Sequence, residues 1–444
     1  MTGGLIQLVA CGAQDVYLTG NPQVTFFKAV YRRHTNFSME SIKQEFMGDS
    51  SRDGIATAVV SRYGDLIYKM YLEIEILDDE YIGEAIVSIP ALIDYIEINI
   101  GGQTIDRQSG EFIQAWNELT HPCGGNMGGN LFQKLIGDVY TNKNLGPRYF
   151  PLHFWFCKNA GLALPLIALQ YHEVQVKMNH YNYSAYRHIG NPPFLHTIKN
   201  SLWIDYIYLD TDERRRFAQV SHEYLIEQVQ EQILPYNKKE HILHFNHPVK
   251  ELIWFSTGRP FRVLDFKKAV VTSPCISLYD IADAKYSLQI NGHERFPPRP
   301  HTYFSRVQIY QHHSGDGGDN THYGMSKDTS GVEGNYGFHN IGDNPANNPL
   351  TKIYSDRSGY IQDSICVYSF ALNPEDHQPS GTCNFSRLDT VKFICNKPIA
   401  EEFDEMLIGG LLSDDEFDKT ARIVAINYNV LRIMSGMGGL AYSN

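Results

Sequence analysis

Tyr95-Ile96-Glu97-Ile98-Asn99-Ile100-Gly101-Gly102 reads as a strand that runs into a tight turn. Ile96, Ile98 and Ile100 alternate with Tyr95, Glu97 and Asn99, the period of a strand with one dry face and one wet face. Gly-Gly supplies the positive φ that a two-residue hairpin requires. The pattern returns as Tyr286-Ser287-Leu288-Gln289-Ile290-Asn291-Gly292, displaced by 190 residues. Two further echoes follow in the same order. Phe154-Trp155-Phe156 is matched by Tyr368-Ser369-Phe370, displaced by 214, and Trp203-Ile204-Asp205-Tyr206 by Ala425-Ile426-Asn427-Tyr428, displaced by 222. A period this long means tandem domains rather than a solenoid. The expectation is two copies of one β domain, the second enlarged between its hairpin and its aromatic strand.

Other stretches agree. Met70, Leu72, Ile74 and Ile76 alternate with polar neighbours, as do Val174, Val176 and Met178. Sustained βαβ alternation is absent, which disfavours a parallel-sheet fold and points to sandwiches or jelly rolls. Ahead of the strands, Asn21 can cap and Pro22 suits a first helical turn. Val24, Phe27, Val30 and Tyr31 then share a face, and Arg32-Arg33-His34 follows where a helix end favours cations. A short helical arm is expected there. A connecting helix is expected near 211–225, with Asp210 or Thr211 as cap and Glu213 three residues after Asp210. His312 to Leu350 holds eight Gly and six Asn, too little apolar surface for a core, and is expected to be a long exposed loop.

Composition narrows the function. The chain has 444 residues, 43% of them hydrophobic, and a net charge of −12. The charge argues against a protein that grips phosphate backbones. Arg214-Arg215-Arg216 is balanced by Asp210, Asp212 and Glu213 and reads as a solvated segment. Cys11, Cys123, Cys157, Cys275, Cys366, Cys383 and Cys395 form no CxxC pair, so neither a disulfide framework nor a zinc site is expected. No basic leader opens the sequence. The most apolar run, Ala160 to Leu169, is too short to span a bilayer, so a soluble chain is expected.

Candidate chemistry is sparse. His241, His244 and His247 do not converge on one ion as a strand or as a helix. Asp316 and Asp319, beside His312, His313 and His322, lack calcium-loop spacing. Gly436-Met437-Gly438-Gly439 resembles a phosphate loop only loosely, and no helix follows it. His172 and Glu173 point to opposite sides of a strand. His153 and Cys157 lie in aromatic surroundings that favour a structural thiol. No catalytic residue, cofactor or metal site is assigned. Asn36, Asn182 and Asn384 satisfy the Asn-X-Ser glycan acceptor pattern. A jelly-roll enzyme or sugar-binding module is the alternative to a structural protein, and rests only on the histidines and the long polar loop.

Longer blocks carry a family resemblance. Gly12-Ala13-Gln14-Asp15-Val16-Tyr17-Leu18-Thr19-Gly20-Asn21-Pro22, followed by Phe26-Phe27-Lys28 and Tyr31 to Phe37, resembles the opening of major capsid proteins of large icosahedral double-stranded DNA viruses. Gly161 to Val174, Gln378 to Arg387 and Asn427 to Tyr442 continue it to the other end of the chain. The resemblance implies an all-β fold of two tandem eight-stranded jelly rolls. The expected division is an arm over 1–25, a first jelly roll over 26–210, a linker helix over 211–225 and a second jelly roll over 226–444, carrying the 312–350 loop. It implies a non-enzymatic homotrimer, a pseudo-hexagonal capsomer in the virion's outer shell, assembled in the host cytoplasm. The implied partners are neighbouring trimers, minor capsid and penton proteins and glycans on outer loops, with no direct nucleic acid and no membrane span.

Overall fold

The computed structural model describes residues 3–10, 12–48, 54–76, 90, 93–121, 131–136, 146–180, 198–235, 238–259, 284–315, 317, 365–396 and 418–442. Residues up to Phe37 form a unit of their own, with short helices Gly3–Val9 and Val16–Thr19. The helix expected from Asn21 onward is not there. Residues 20–36 are non-helical and Asn21 has φ 50°. Val24, Phe27, Val30 and Tyr31 are all exposed. A helix this short is marginal on its own propensity.

The first sandwich is built from β1 (Phe37–Glu45), β2 (Ile55–Val59), β3 (Leu66–Ile76), β4 (Ile93–Ile100), β5 (Gln103–Ser109), β6 (Arg148–Pro151), the two-residue β7 (Leu164–Pro165), β8 (Val174–His180) and β9 (Ile198–Leu209). One sheet runs β1-β9-β3-β6, with β7 beside β3, and the other runs β2-β8-β4-β5. Strands from the two ends of the segment pair first, and pairing closes inward to the β4–β5 hairpin. This is an antiparallel ribbon wound into a jelly roll.

The second sandwich repeats the plan. It comprises β10 (His222–Pro235), β11 (Glu240–Ile242), β12 (Pro248–Arg259), β13 (Lys285–Ile290), β14 (His293–Pro300), β15 (Ile365–Ser369), β16 (Cys383–Asn384), β17 (Val391–Cys395), β18 (Asp418–Met434) and β19 (Met437–Leu440). Its sheets run β10-β18-β12-β15, with β16 beside β12 and β19 beside β18, and β11-β17-β13-β14. Each strand except β19 thus has a counterpart in the first copy. Between the copies lies the helix Thr211–Gln219, whose first N–H donates to the Asp210 carboxylate at 2.7 Å.

Register shows how far the sequence echoes hold. Ile100 pairs with Gln103 and Ile290 with His293, so the hairpin displacement of 190 stands. Gly101, Gly102, Asn291 and Gly292 all have positive φ, as that turn requires. The other two echoes are out of register. Met70 faces Ile204 while Leu252 faces Ala425, a displacement of 221 for β9 and β18. Phe150 pairs with Leu72 and Cys366 with Trp254, a displacement of 216 for β6 and β15. A slip of one residue exchanges the faces of a strand. Ile204 points into its own sandwich, whereas Ile426 points away from its own and into the first.

The cause of the slip is burial on both faces. Ala421, Ile423 and Ala425 fill the second sandwich, while Val424 and Ile426 between them join the core of the first. Every residue from Ala421 to Asn429 is buried, so no period of two remains to be read. The start of the expected 312–350 loop is also packed, because the His313 side chain is fully buried. Residues 316 and 318–350 lie outside the described residues.

One turn tests this arrangement. A Cβ on Gly101 would lie 2.3 Å from His172 Nδ1, whereas one on Gly102 would meet nothing within 4 Å. Gly102→Ala should cost about 1–2 kcal/mol for its left-handed backbone alone, and Gly101→Ala should cost more. Urea midpoints that fall equally for both would contradict the His172 contact.

Candidate functional site: the joint between the two sandwiches

Among the described residues, a dense assembly of buried polar groups lies where the first sandwich covers the outer face of β10-β18-β12-β15. The edge strands meet first. Val229 N donates to Asp106 Oδ1 at 2.9 Å, Ser109 N donates to Glu231 Oε1 at 3.0 Å, and Gln228 Nε2 donates to the Ile105 carbonyl. Burial pushes the Asp106 carboxyl up to about 6 despite the hydrogen bonds it accepts from Val229 N and Gln108 Nε2. The Ser109 hydroxyl also caps the helix Gly110–Thr120, accepting from Phe112 N at 3.1 Å. All residues from Gly110 to Leu119 are buried, because this helix has its own sandwich on one side and the second sandwich on the other.

A bulge aims charge at the helix. Two β12 residues, Lys250 and Glu251, stand between the pairs made by Val249 and Leu252, opposite Ile426 alone. Both are fully buried. Lys250 Nζ and Lys158 Nζ each lie 2.6 Å from a different oxygen of Glu227, so one carboxylate bridges an ammonium from each sandwich. Burial pushes the Glu227 carboxyl up, but the two ammonium groups outweigh it and hold it at about 2. Lys158 Nζ also lies 4.6 Å from the centroid of the Trp116 ring. Arg422 of β18 reaches Glu231 at 2.9 Å and, across the joint, Glu111 at 3.4 Å.

His313 closes the other side. Its Nε2 lies 3.0 Å from Glu251 Oε2 and its Nδ1 lies 3.1 Å from Glu375 Oε1, with the ring edge-on to Trp116. Burial pushes the imidazole down, but the two carboxylates outweigh it and raise it to about 9. Gly315 N and Gly317 N then donate to the carbonyls of Leu119 and Glu118 at the end of the covered helix.

The chain terminus supplies the last contact. The β18–β19 hairpin docks on the first sandwich: Tyr171 N donates to Gly436 O at 2.9 Å, and Gly438 N donates to His172 Nδ1 at 3.2 Å. A Cβ on Gly438 would lie 2.7 Å from Leu169 Cδ2, so any larger residue there would have to displace the buried Leu169 side chain. The glycine run that looked loosely like a phosphate loop is therefore a docking hairpin.

The other sequence candidates do not assemble into chemistry. His241 is buried in β11, His244 N donates to Gln232, and His247 takes φ 66° with its N–H on Ser386 Oγ. Burial pushes the Cys157 thiol up to about 12 and the His153 imidazole down to about 3, the opposite of an activated thiolate–imidazolium pair. Arg214 pairs with Asp65 at 3.0 Å. Among the described residues no group of three His, Cys, Asp or Glu could hold a metal ion, and no helix is long and apolar enough to cross a membrane. Asp316, Asp319, His322 and Asn182 lie outside the described residues. Asn36 and Asn384 are exposed, with Asn384 Oδ1 accepting from Ser386 N. Sequence reasoning missed the joint itself. The available signal was the unbroken apolar run around Val424, too long for a strand with a wet face.

Comparison with known proteins identifies the family. Residues 25–210 match the family model described as major capsid protein N-terminus, and residues 213–323 and 359–439 match large eukaryotic DNA virus major capsid protein. The chain belongs to this family of major capsid proteins. It is 43% identical to the major capsid protein of Pyramimonas orientalis virus and 36% identical to that of Paramecium bursaria Chlorella virus 1, each over the whole of both chains. PBCV-1 VP54, whose crystal structure was fitted into a reconstruction of the virophage Sputnik, superposes with a TM-score of 0.68 at 31% identity, over 95% of this chain and 100% of that one. The quasi-atomic PBCV-1 capsid gives 0.67 at 30% identity, with the same coverage. The fold is the double jelly roll of these capsid proteins. The family is structural, so the reading as a jelly-roll enzyme is set aside, and copies of this capsid protein form the virion shell.

The joint has a pH signature. An imidazole raised in the folded state contributes stability in full below its unfolded value near 6.5 and loses it as pH rises through about 9. The urea midpoint of the wild-type chain should fall over that interval. His313→Gln should lower the midpoint at the acid end and flatten the decline. An unchanged slope in the variant would contradict a charged His313.

Proposed function

We propose that this capsid protein works as a homotrimer whose six jelly rolls form a pseudo-hexagonal capsomer, and that such capsomers tile the faces of an icosahedral shell. The observation that carries the reading is the duplication itself: two sandwiches of the same strand order in one chain. Three such subunits place six similar walls around one axis. Cyclic closure of this kind uses heterologous contacts that end on themselves. The net charge of −12 suits a wall that does not hold DNA directly. Neighbouring capsomers, minor capsid proteins and penton proteins are the partners of this reading, with assembly in the host cytoplasm. Asn36, Asn182 and Asn384 are its candidate glycan acceptors.

Sedimentation of the purified chain near neutral pH tests the oligomer. The expected species has three times the 50.6 kDa mass of one chain. A monomer persisting at every concentration would contradict it.

A further inference from the structure

In the unit that ends at Phe37, sequence pattern and structure part company. From Val24 to Arg33 the spacing is helical: Val24, Phe27, Val30 and Tyr31 fall on one face, and Lys28, Arg32 and Arg33 fall on the other. The structure has no helix there, and every residue from 20 to 36 is exposed. Phe26 and Phe27 are 92% and 98% accessible, more than any other large apolar side chain among the described residues. Single exposed apolar residues are ordinary, but a run of them marks a contact surface.

Two features indicate the chemistry of the contact. The first is charge. Residues 1–37 hold Lys28, Arg32 and Arg33 against Asp15 alone, in a chain whose net charge is −12. Within 26–33 those cations are interleaved with Phe26, Phe27 and Tyr31, so the complementary surface is anionic. The second is the helix Gly3–Val9. Leu5, Ile6, Leu8 and Val9 take up most of its circumference, and no charged residue precedes Asp15. A helix that docks on an acidic protein keeps a polar face toward water, whereas one that is apolar all round belongs in a core or in lipid. No core of this chain takes it, since all four side chains are more than half exposed. Apolar residues, then aromatic ones, then cations are the types that divide between acyl chains and phosphate headgroups.

We propose that residues 3–34 form a peripheral anchor for an anionic phospholipid surface, on which 24–33 fold into the amphipathic helix written in the sequence. In water this helix is too short to form on propensity alone. At the headgroup boundary its apolar face is buried, its backbone is drawn into internal hydrogen bonds, and Lys28, Arg32 and Arg33 reach the phosphates. The anchor lies in the surface and does not cross it, because each apolar stretch is far shorter than the roughly 20 residues a span needs.

Flotation of the full chain with vesicles tests the anchor. The chain should float with vesicles of equimolar phosphatidylcholine and phosphatidylserine at low salt. Flotation should fall by about tenfold or more with pure phosphatidylcholine, and likewise at high salt. Lys28→Gln with Arg32→Gln and Arg33→Gln should weaken binding on the order of a hundredfold, at about fivefold for each cation. Phe26→Ser with Phe27→Ser should weaken it by about tenfold or more. All five positions are exposed, so urea midpoints should match the wild type. Hydrogen exchange on the vesicles should show new protection of the 24–33 amides. A wild-type chain that does not float, that floats equally with pure phosphatidylcholine, or that gains no protection over 24–33 would overturn the proposal. So would either variant floating like the wild type. Variants that lose mass in lipid-free sedimentation while still floating would assign the segment to a second copy of the chain instead.

Discussion

The structure depends on one sheet being buried on both faces. Ile253, Phe255, Val424, Ile426, Leu431 and Ile433 leave the second sandwich and join the core of the first. At about 1.5–3 kcal/mol for each fully buried side chain of this size, the six contribute on the order of 10 kcal/mol, an upper figure because an unfolded chain already hides some of this surface. That is as much as the whole net stability of many domains. The two jelly rolls are therefore one body rather than two domains on a linker.

The ionic groups at the joint have a different part. Taking Lys158, Lys250, Glu227, Arg422 and Glu111 out of water costs about as much as their mutual attraction returns. Their effect is on geometry. Glu227 binds one ammonium from each sandwich, so a shifted docking leaves a buried charge without its partner, which costs about 3–5 kcal/mol. Apolar burial supplies the adhesion and the charges supply the register. In the proposed trimer both matter, since small angular errors add up around a closed ring.

Much of this was legible in the sequence. Period-two alternation marked β3, β4 and β8, and Gly101-Gly102 and Asn291-Gly292 marked two hairpins at the correct displacement. Alternation fails where both faces are dry, which is why β18 was matched to β9 one residue out of register. The joint was hidden for a related reason. Lys158, Glu227, Lys250 and Arg422 are far apart in the chain, and each alone looks like an ordinary solvated charge. His313 stands at the head of a glycine-rich stretch, and only the fold shows it between Glu251 and Glu375. The missing helix at Asn21 has a different cause: the pattern is present, but a helix so short is marginal on propensity alone.

The central claim is that burial of one sheet on both faces makes the two jelly rolls a single cooperative body. Native-state hydrogen exchange of the wild-type chain at increasing urea tests it most directly. The account predicts that the amides of β4 in the first sandwich and of β13 in the second lose protection together. Protection lost in one sandwich at a clearly lower urea concentration than in the other would contradict it.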